Sequence, residues 1–344
     1  IKLDGNYPVG TGNVALGDAA LDDGSLSGGY NTGIGWEALT ANTSGQINTA
    51  IGGKALNSNT TGSNNVALGY GAMLDNTSGS SNTGIGRGAL PNNTTASNNT
   101  AVGYQSLYVN TANNNTALGH SSLFSNTTGS LNSGISQGAL YSNTTGIYNT
   151  AAGANAMYLN TTGSSNVGLG KDALRSNTTA SNNTAVGYQA AYSNTTGTEI
   201  TAVGKGAMSS NTTGNYNTAV GYQTMLENTT GSDNTAYGDE ALRNNTSGGK
   251  NTVSGNIALY ANTTGSQNTA FGMQALRYNT TASYNTALGY QAGYAYNGAL
   301  GSNTYVGFQA GQNSTGDSNT FVGARVISSG KGCGQDMTTG AKNT

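Results

Sequence analysis

The chain has 344 residues, 54 of them Gly and only 2 Pro, and its 12 basic and 14 acidic side chains leave a net charge of −2. Charged residues make up 8% of it, against about 25% in an ordinary globular domain, so neutral polar groups must cover the surface, and partners held by charge, nucleic acid or anionic membrane, are not expected. One Cys and one His leave no disulfide framework, thiolate zinc cage or histidine-based acid–base set; no metal or other cofactor is expected. No apolar run approaches the roughly 20 residues that span a bilayer.

From the N-terminus onward a 17-residue motif repeats, anchored on the Gly that closes an Asn-Thr-Ala-Val-Gly-like pentapeptide: Gly17, Gly35, Gly52 and so on to Gly323, with Ser136 standing in once. Nineteen copies fill residues 1–323 with steps of 16 to 18, so each copy reads as one rung of a regular stack. Residues 324–344, with Cys333, read as an inserted loop over 326–337 and, over 338–344, the opening of a further copy, as if the chain continued. Around Asn297-Gly298 the Asn-Thr-Thr-Gly turn is missing, and the stack is expected to loosen there.

Each column of the aligned copies samples one environment many times. The residue before the anchor, Leu16, Ile34, Ile51, Leu68, Ile85 and Val102 through Val322, is expected to be core. So is the column four residues after it, Leu21, Leu39, Leu56 and Met73 onward, usually preceded by Ala. The column just after the anchor varies from Trp36 to Arg87 to His120, which marks a solvent face. Alternation and β-branching predict a short strand over Thr-Ala-Val-Gly and a second over the Ala-Leu pair, with Asn-Thr-Thr-Gly as the turn between copies. The expected fold is an all-β, β-solenoid rod; at about 4.8 Å per coil, nineteen coils make roughly 90 Å. Two apolar columns per seventeen residues bury little beside the backbone entropy of ordering them, which favours several chains sharing buried surface.

Two Asn columns stand out. The first, four residues before the anchor, includes Asn48, Asn65, Asn82, Asn99, Asn149, Asn183, Asn217 and Asn268, with Ile200 its departure; it is read as a structural amide ladder. The second places an Asn-Thr-Thr or Asn-Thr-Ser sequon at Asn42, Asn59, Asn76, Asn93, Asn126, Asn143, Asn160, Asn177, Asn194, Asn211, Asn228, Asn245, Asn262 and Asn279. These are either turn residues or, if modified there or on the adjoining Thr, a line of glycans along one edge. Tyr70, Tyr104, Tyr188, Tyr222 and Tyr290, in the exterior column, could stack on sugar rings. Gly84-Ile85-Gly86-Arg87-Gly88 imitates a phosphate loop without a following helix. Asp22-Asp23, Asp239-Glu240 and His120 read as solvated side chains without partners for catalysis, so no enzyme is expected.

Copies such as Asn99-Thr100-Ala101-Val102-Gly103-Tyr104-Gln105-Ser106-Leu107 and Asn217-Thr218-Ala219-Val220-Gly221-Tyr222-Gln223 resemble the head repeats of trimeric autotransporter adhesins of the YadA type, and still more the repeat shafts of bacteriophage tail fibres. The chain differs from the adhesin heads in its Thr where they usually carry Val and in its longer repeat. The resemblance implies a left-handed parallel β-roll, a homotrimeric shaft, and an extracellular role in attachment as a virion tail appendage or cell-surface fibre. Its partners would be its own copies and cell-surface glycans met by a tip outside this segment. The alternatives are a self-assembling extracellular filament, glycan-coated if the sequons are used, and an ice-binding solenoid.

Overall fold

The computed structural model describes residues 11–324; the expectations for residues 326–337, Cys333 and residues 338–344 lie outside them. The described chain is all-β, with nineteen three-residue strands and no helix, and divides into two units, residues 1–171 and 172–344. Strands are numbered in chain order: the first unit holds β1 (Val14–Leu16) to β10 (Val167–Leu169), the second β11 (Thr184–Val186) to β19 (Thr320–Val322). Within each unit every strand pairs in parallel with the same positions of the next copy, as Thr83, Gly84 and Ile85 pair with Thr100, Ala101 and Val102, or Thr201, Ala202 and Val203 with Thr218, Ala219 and Val220. Each unit is therefore a parallel β-solenoid, one repeat to a coil.

The second expected strand is absent. Across the Ala-Leu pair the chain turns through left-handed corners: Lys54, Leu56 and Asn64 have φ of 59°, 51° and 60°, and the same positions recur in successive coils. Such a conformation costs an ordinary residue about 1–2 kcal/mol. It is offset because these corners aim backbone N–H groups along the stack, Lys54 to the carbonyl of Trp36 (2.7 Å), Leu56 to that of Ala72 (3.0 Å) and Asn64 to that of Gln46 (2.9 Å). Coil-to-coil bonding thus continues well beyond the three strand residues.

The core differs from expectation in one column. Ala38, Leu39, Ala55, Leu56, Ala72 and Met73 are fully buried as predicted, but the strand's middle residue, Ala50, Ala67 or Ala101, points inward, and the large residue before the anchor Gly points out. Ile51, Leu68 and Ile135 are 37%, 44% and 43% exposed. The reason is lumen width. A Cβ on Gly33 or Gly84, at the middle position, would lie 3.2 Å from Leu21 Cγ or 2.8 Å from Met73 Cγ, so beside a Leu or Met the lumen takes Ala or Gly, with Val253 the one larger residue there, and the bulkier neighbours face outward.

The same volume rule explains two copies that depart from the pattern. Where the Leu column holds Gly293 and Gly311, the strand middles hold Tyr305 and Phe321, both buried. A Cβ on Gly293 would come within 2.6 Å of Tyr305 Cδ2. Large and small have exchanged places across the lumen. Gly293→Leu should therefore destabilise the second unit by about 1–3 kcal/mol through overpacking, and adding Tyr305→Ala should restore much of the loss by recreating the ordinary Leu-Ala pair. Urea melts followed by circular dichroism check both; a double variant no better than the single would refute the exchange.

The anchor Gly is required twice over. Gly52 has φ of 131°, and a Cβ there would stand 2.7 Å from the backbone of Gly69 in the next coil. Ser136, at φ 104°, is the one residue with a side chain forced into this place among the described copies. Ser136→Gly should raise stability by about 1 kcal/mol, seen as a higher melting temperature.

Candidate functional site

Both Asn columns lie inside the coils, on either side of the turn glycine. In the first, backbone N–H groups donate to the side-chain oxygen one coil back, as Asn65 to Asn48 Oδ1 (3.0 Å), Asn82 to Asn65 (2.9 Å) and Asn99 to Asn82 (2.9 Å). The side-chain N–H then reaches a turn carbonyl, Asn48 to Gly62 (2.9 Å), Asn149 to Gly163 (2.8 Å), Asn183 to Gly197 (2.9 Å), Asn217 to Gly231 (2.7 Å) and Asn268 to Ala282 (3.0 Å). Ile200, buried in the same column, keeps only the backbone bond, to Asn183 Oδ1 at 3.1 Å.

The sequon column, read as turn residues or, if modified, as a line of glycans along an edge, lies inside the coil. All fourteen, from Asn42 and Asn59 to Asn262 and Asn279, have no exposed surface. They form a second ladder: Asn59 Nδ2 donates to Asn42 Oδ1 (2.8 Å) and to the Gly62 carbonyl (3.0 Å), and Asn76 repeats this with Asn59 and Gly79. The nitrogen a glycan would occupy is enclosed and donates twice, so the folded chain offers none of these amides for glycosylation. The Thr after next in sequence differs: Thr61, Thr128 and Thr145 are exposed. The copy around Asn110 runs one residue short and lacks the turn Gly; there Asn110 Nδ2 turns to the Ala112 carbonyl (2.7 Å), which breaks the second ladder and leaves Asn93 Oδ1 buried without a partner, while Asn99 Nδ2 lacks its turn carbonyl although the first ladder continues from the Asn115 N–H to Asn99 Oδ1 (3.0 Å).

Tyr70, Tyr104, Tyr188, Tyr222 and Tyr290 all stand on the exterior, 38–54% exposed. The stack pairs rings within their column, Tyr104 with His120 at 5.3 Å and Tyr290 with Phe308 at 5.4 Å, while Lys205 Nζ lies 5.6 Å from the Tyr222 ring. A second aromatic column, five residues after the anchor, was missed from sequence. Tyr108, Phe124, Tyr141 and Tyr158 stack nearly parallel at 4.9–5.1 Å. Four consecutive aromatics in one column were the available signal. Asp22 and Asp239 are exposed, and Asp23 accepts from Ser25. Gly86, in the phosphate-loop imitation, follows a strand and enters a turn, not a helix.

At Asn297-Gly298 the flanking strands β17 (Thr286–Leu288) and β18 (Thr304–Val306) stay in register, but the second amide ladder ends, leaving Asn279 Oδ1 buried without a partner. Tyr296 occupies the sequon-column position with no exposed surface, and its hydroxyl donates to Asp317 Oδ1 at 2.5 Å, which also accepts from the Gly301 N–H at 3.0 Å. Burial by itself would raise the Asp317 carboxyl, but the bonds from Tyr296, Gly301 and Leu300 hold it below the usual carboxylate value; burial first, then the Asp317 bond, push the Tyr296 phenol well up. A depressed carboxyl stabilises the fold above its unfolded value, near pH 4, and that contribution is lost as pH falls through the lower folded value. Asp317→Asn should lower the melting temperature at pH 7, with the gap to the unaltered chain closing below about pH 4; an equal gap at pH 7 and pH 3 would show that the ionised form contributes nothing.

Among the described residues no group of three or more His, Cys, Asp and Glu is placed to hold a metal ion, and no helix is long and apolar enough to cross a membrane. Comparison with protein-family models, with curated proteins and with solved structures returns no match.

Proposed function

We propose that the chain is a segment of a non-catalytic structural and adhesive fibre, the shaft of a phage tail fibre or a surface adhesin, in which three copies pack along their outer sheet faces outside the cell. The observation that supports this is the outward column before the anchor Gly. Leu16, Ile51, Leu68, Ile135 and Leu169 in the first unit, and Phe271, Leu288 and Val322 in the second, are each at least 36% exposed. Neither this column nor the Thr-rich one beside it carries a charged residue. Soluble chains rarely leave such a stripe to water, and identical coils in register let each copy meet its neighbours with the same column, which suits a closed cyclic assembly. The left-handed winding that the repeat's resemblance implies belongs to this reading.

The alternatives lose support on the same observations. A glycan-coated filament would lack its Asn attachment sites. An ice-binding face needs a flat lattice of Thr, yet Tyr237 and Phe271 protrude beside the strand Thr column.

Native mass spectrometry tests the proposal. Three bare chains per particle are expected, and Ile85→Glu with Leu118→Glu should yield single folded chains, because a buried unpaired carboxylate costs several kcal/mol. Single bare chains from the unaltered protein would overturn the trimer.

A further inference from the structure

We propose that a groove on the flank of the first unit, between Tyr70, Tyr104 and Tyr108, binds an acidic saccharide, with its carboxylate on Arg87 and its ring faces against the tyrosines. The groove encloses about 200 Å³. One wall comes from the column after the anchor Gly, Tyr70, Arg87 and Tyr104; the other comes from the column five after it, Leu74, Pro91 and Tyr108. Between them runs the column two after the anchor, which in other copies mostly carries polar side chains such as Glu37, Lys54 and Gln189 but also Gly138, Gly206, Ala19 and Ile257.

Here that floor is Gly71 and Gly88. A Cβ on Gly71 would meet nothing within 4 Å, and one on Gly88 only Gln105 Cγ at 3.9 Å. Their φ of 62° and 59° matches the 59° of Lys54 and the 54° of Gln189 in the same column, so the backbone does not demand glycine here. Side chains are missing where the coil would accept them, and an open slot between aromatic walls is the result.

Arg87 gives the slot its sign. It is the only charged side chain lining the groove. Arg175 and Arg243 pair with Asp172 and Glu240, and Arg277 lies 5.2 Å from the Tyr278 ring, whereas Arg87 is exposed and its guanidinium makes no ion pair or hydrogen bond among the described residues. Its planar fork suits a carboxylate held in two bonds. The tyrosines offer flat apolar faces with hydroxyls at their edges, the counterpart of a sugar ring's C–H face and hydroxyl rim. The volume falls below the roughly 300–1,000 Å³ of pockets for drug-sized ligands, which fits a sugar unit or two; a single guanidinium is a poor hold for a nucleic acid, whose binding rests on many phosphate contacts.

The inference rests on the attachment reading for its biological role and on the groove for its chemistry. The test uses the full chain and a panel of oligosaccharides bearing uronic or sialic acids, each beside its carboxyl-reduced neutral form, with binding read by calorimetry. At least one acidic member should bind at least tenfold more tightly than its neutral form, and Arg87→Gln should remove that preference while leaving the neutral form's binding unchanged. Gly71→Gln with Gly88→Gln, which installs the residue of Gln105 and Gln189, should abolish binding with no change in melting temperature or circular dichroism. Failure of the whole panel to bind, binding that survives the filled floor, or a preference for acidic peptides over every saccharide would overturn the proposal. Native mass spectrometry on the same samples keeps the two readings apart: single chains that still bind sugar would remove the shaft and keep the groove, and trimers that bind none would do the reverse.

Discussion

Everything in this chain follows from how closely one coil's backbone lies on the next. At Gly52 and its equivalents there is no room for a Cβ between coils, and parallel pairing in register sets each position against its own counterpart. A stack held this way rewards identical residues in identical places, because whatever bond or contact one coil makes can be repeated by its neighbour. The fixed 17-residue period is the visible outcome. Where a copy loses one residue, at Asn110, amide atoms of Asn93 and Asn99 are left buried and unpartnered.

Inside the coil a narrow lumen must satisfy both apolar packing and many polar groups. One Leu or Met and small Ala or Gly side chains fill the apolar half. The polar half is two ladders of asparagine meeting at a turn carbonyl, as Asn48 and Asn59 both do at Gly62. Asn serves because its amide is at once donor and acceptor, so each member can give a bond in one direction and take one in the other without charge. The departures keep only part of this accounting: Ile200 retains its backbone bond and Tyr305 fills the space that Gly293 leaves, while Tyr296 finds Asp317 but leaves Asn279 Oδ1 of the preceding coil buried without a partner. The exterior is then free to vary, and that freedom produces the apolar stripe, the stacked rings and the slot at Gly71 and Gly88.

Much of this was legible without coordinates. The repeat, its strand over Thr-Ala-Val, the solvent-facing Tyr and His120 positions, the laddering column from Asn48 to Asn268 and the buried Ala-Leu pair all show as columns of constant or variable chemistry. Chemistry of that kind is local: it depends on what one position in a coil must do, and nineteen copies repeat the message. The aromatic column at Tyr108 and Phe124 is a fainter signal of the same kind, because it is aromatic through only four consecutive copies, Tyr108 to Tyr158.

What only the tertiary structure decided is which way each column points and how much room it finds. Alternation in a strand says that Ala101 and Val102 face opposite sides, not which side is inner; lumen width settles it, in favour of the smaller residue. A sequon reads alike whether its Asn lies on a surface turn or in a buried ladder, and closure of the coil placed Asn42 to Asn279 inside. The exchange of Gly293 with Tyr305, and the slot floored by Gly71 and Gly88, join residues from different coils whose proximity depends on the path the chain takes around the axis. Composition and period determined that a solenoid forms and which positions repeat; volume and enclosure, which are properties of the closed coil, determined what is left on its outside to be recognised.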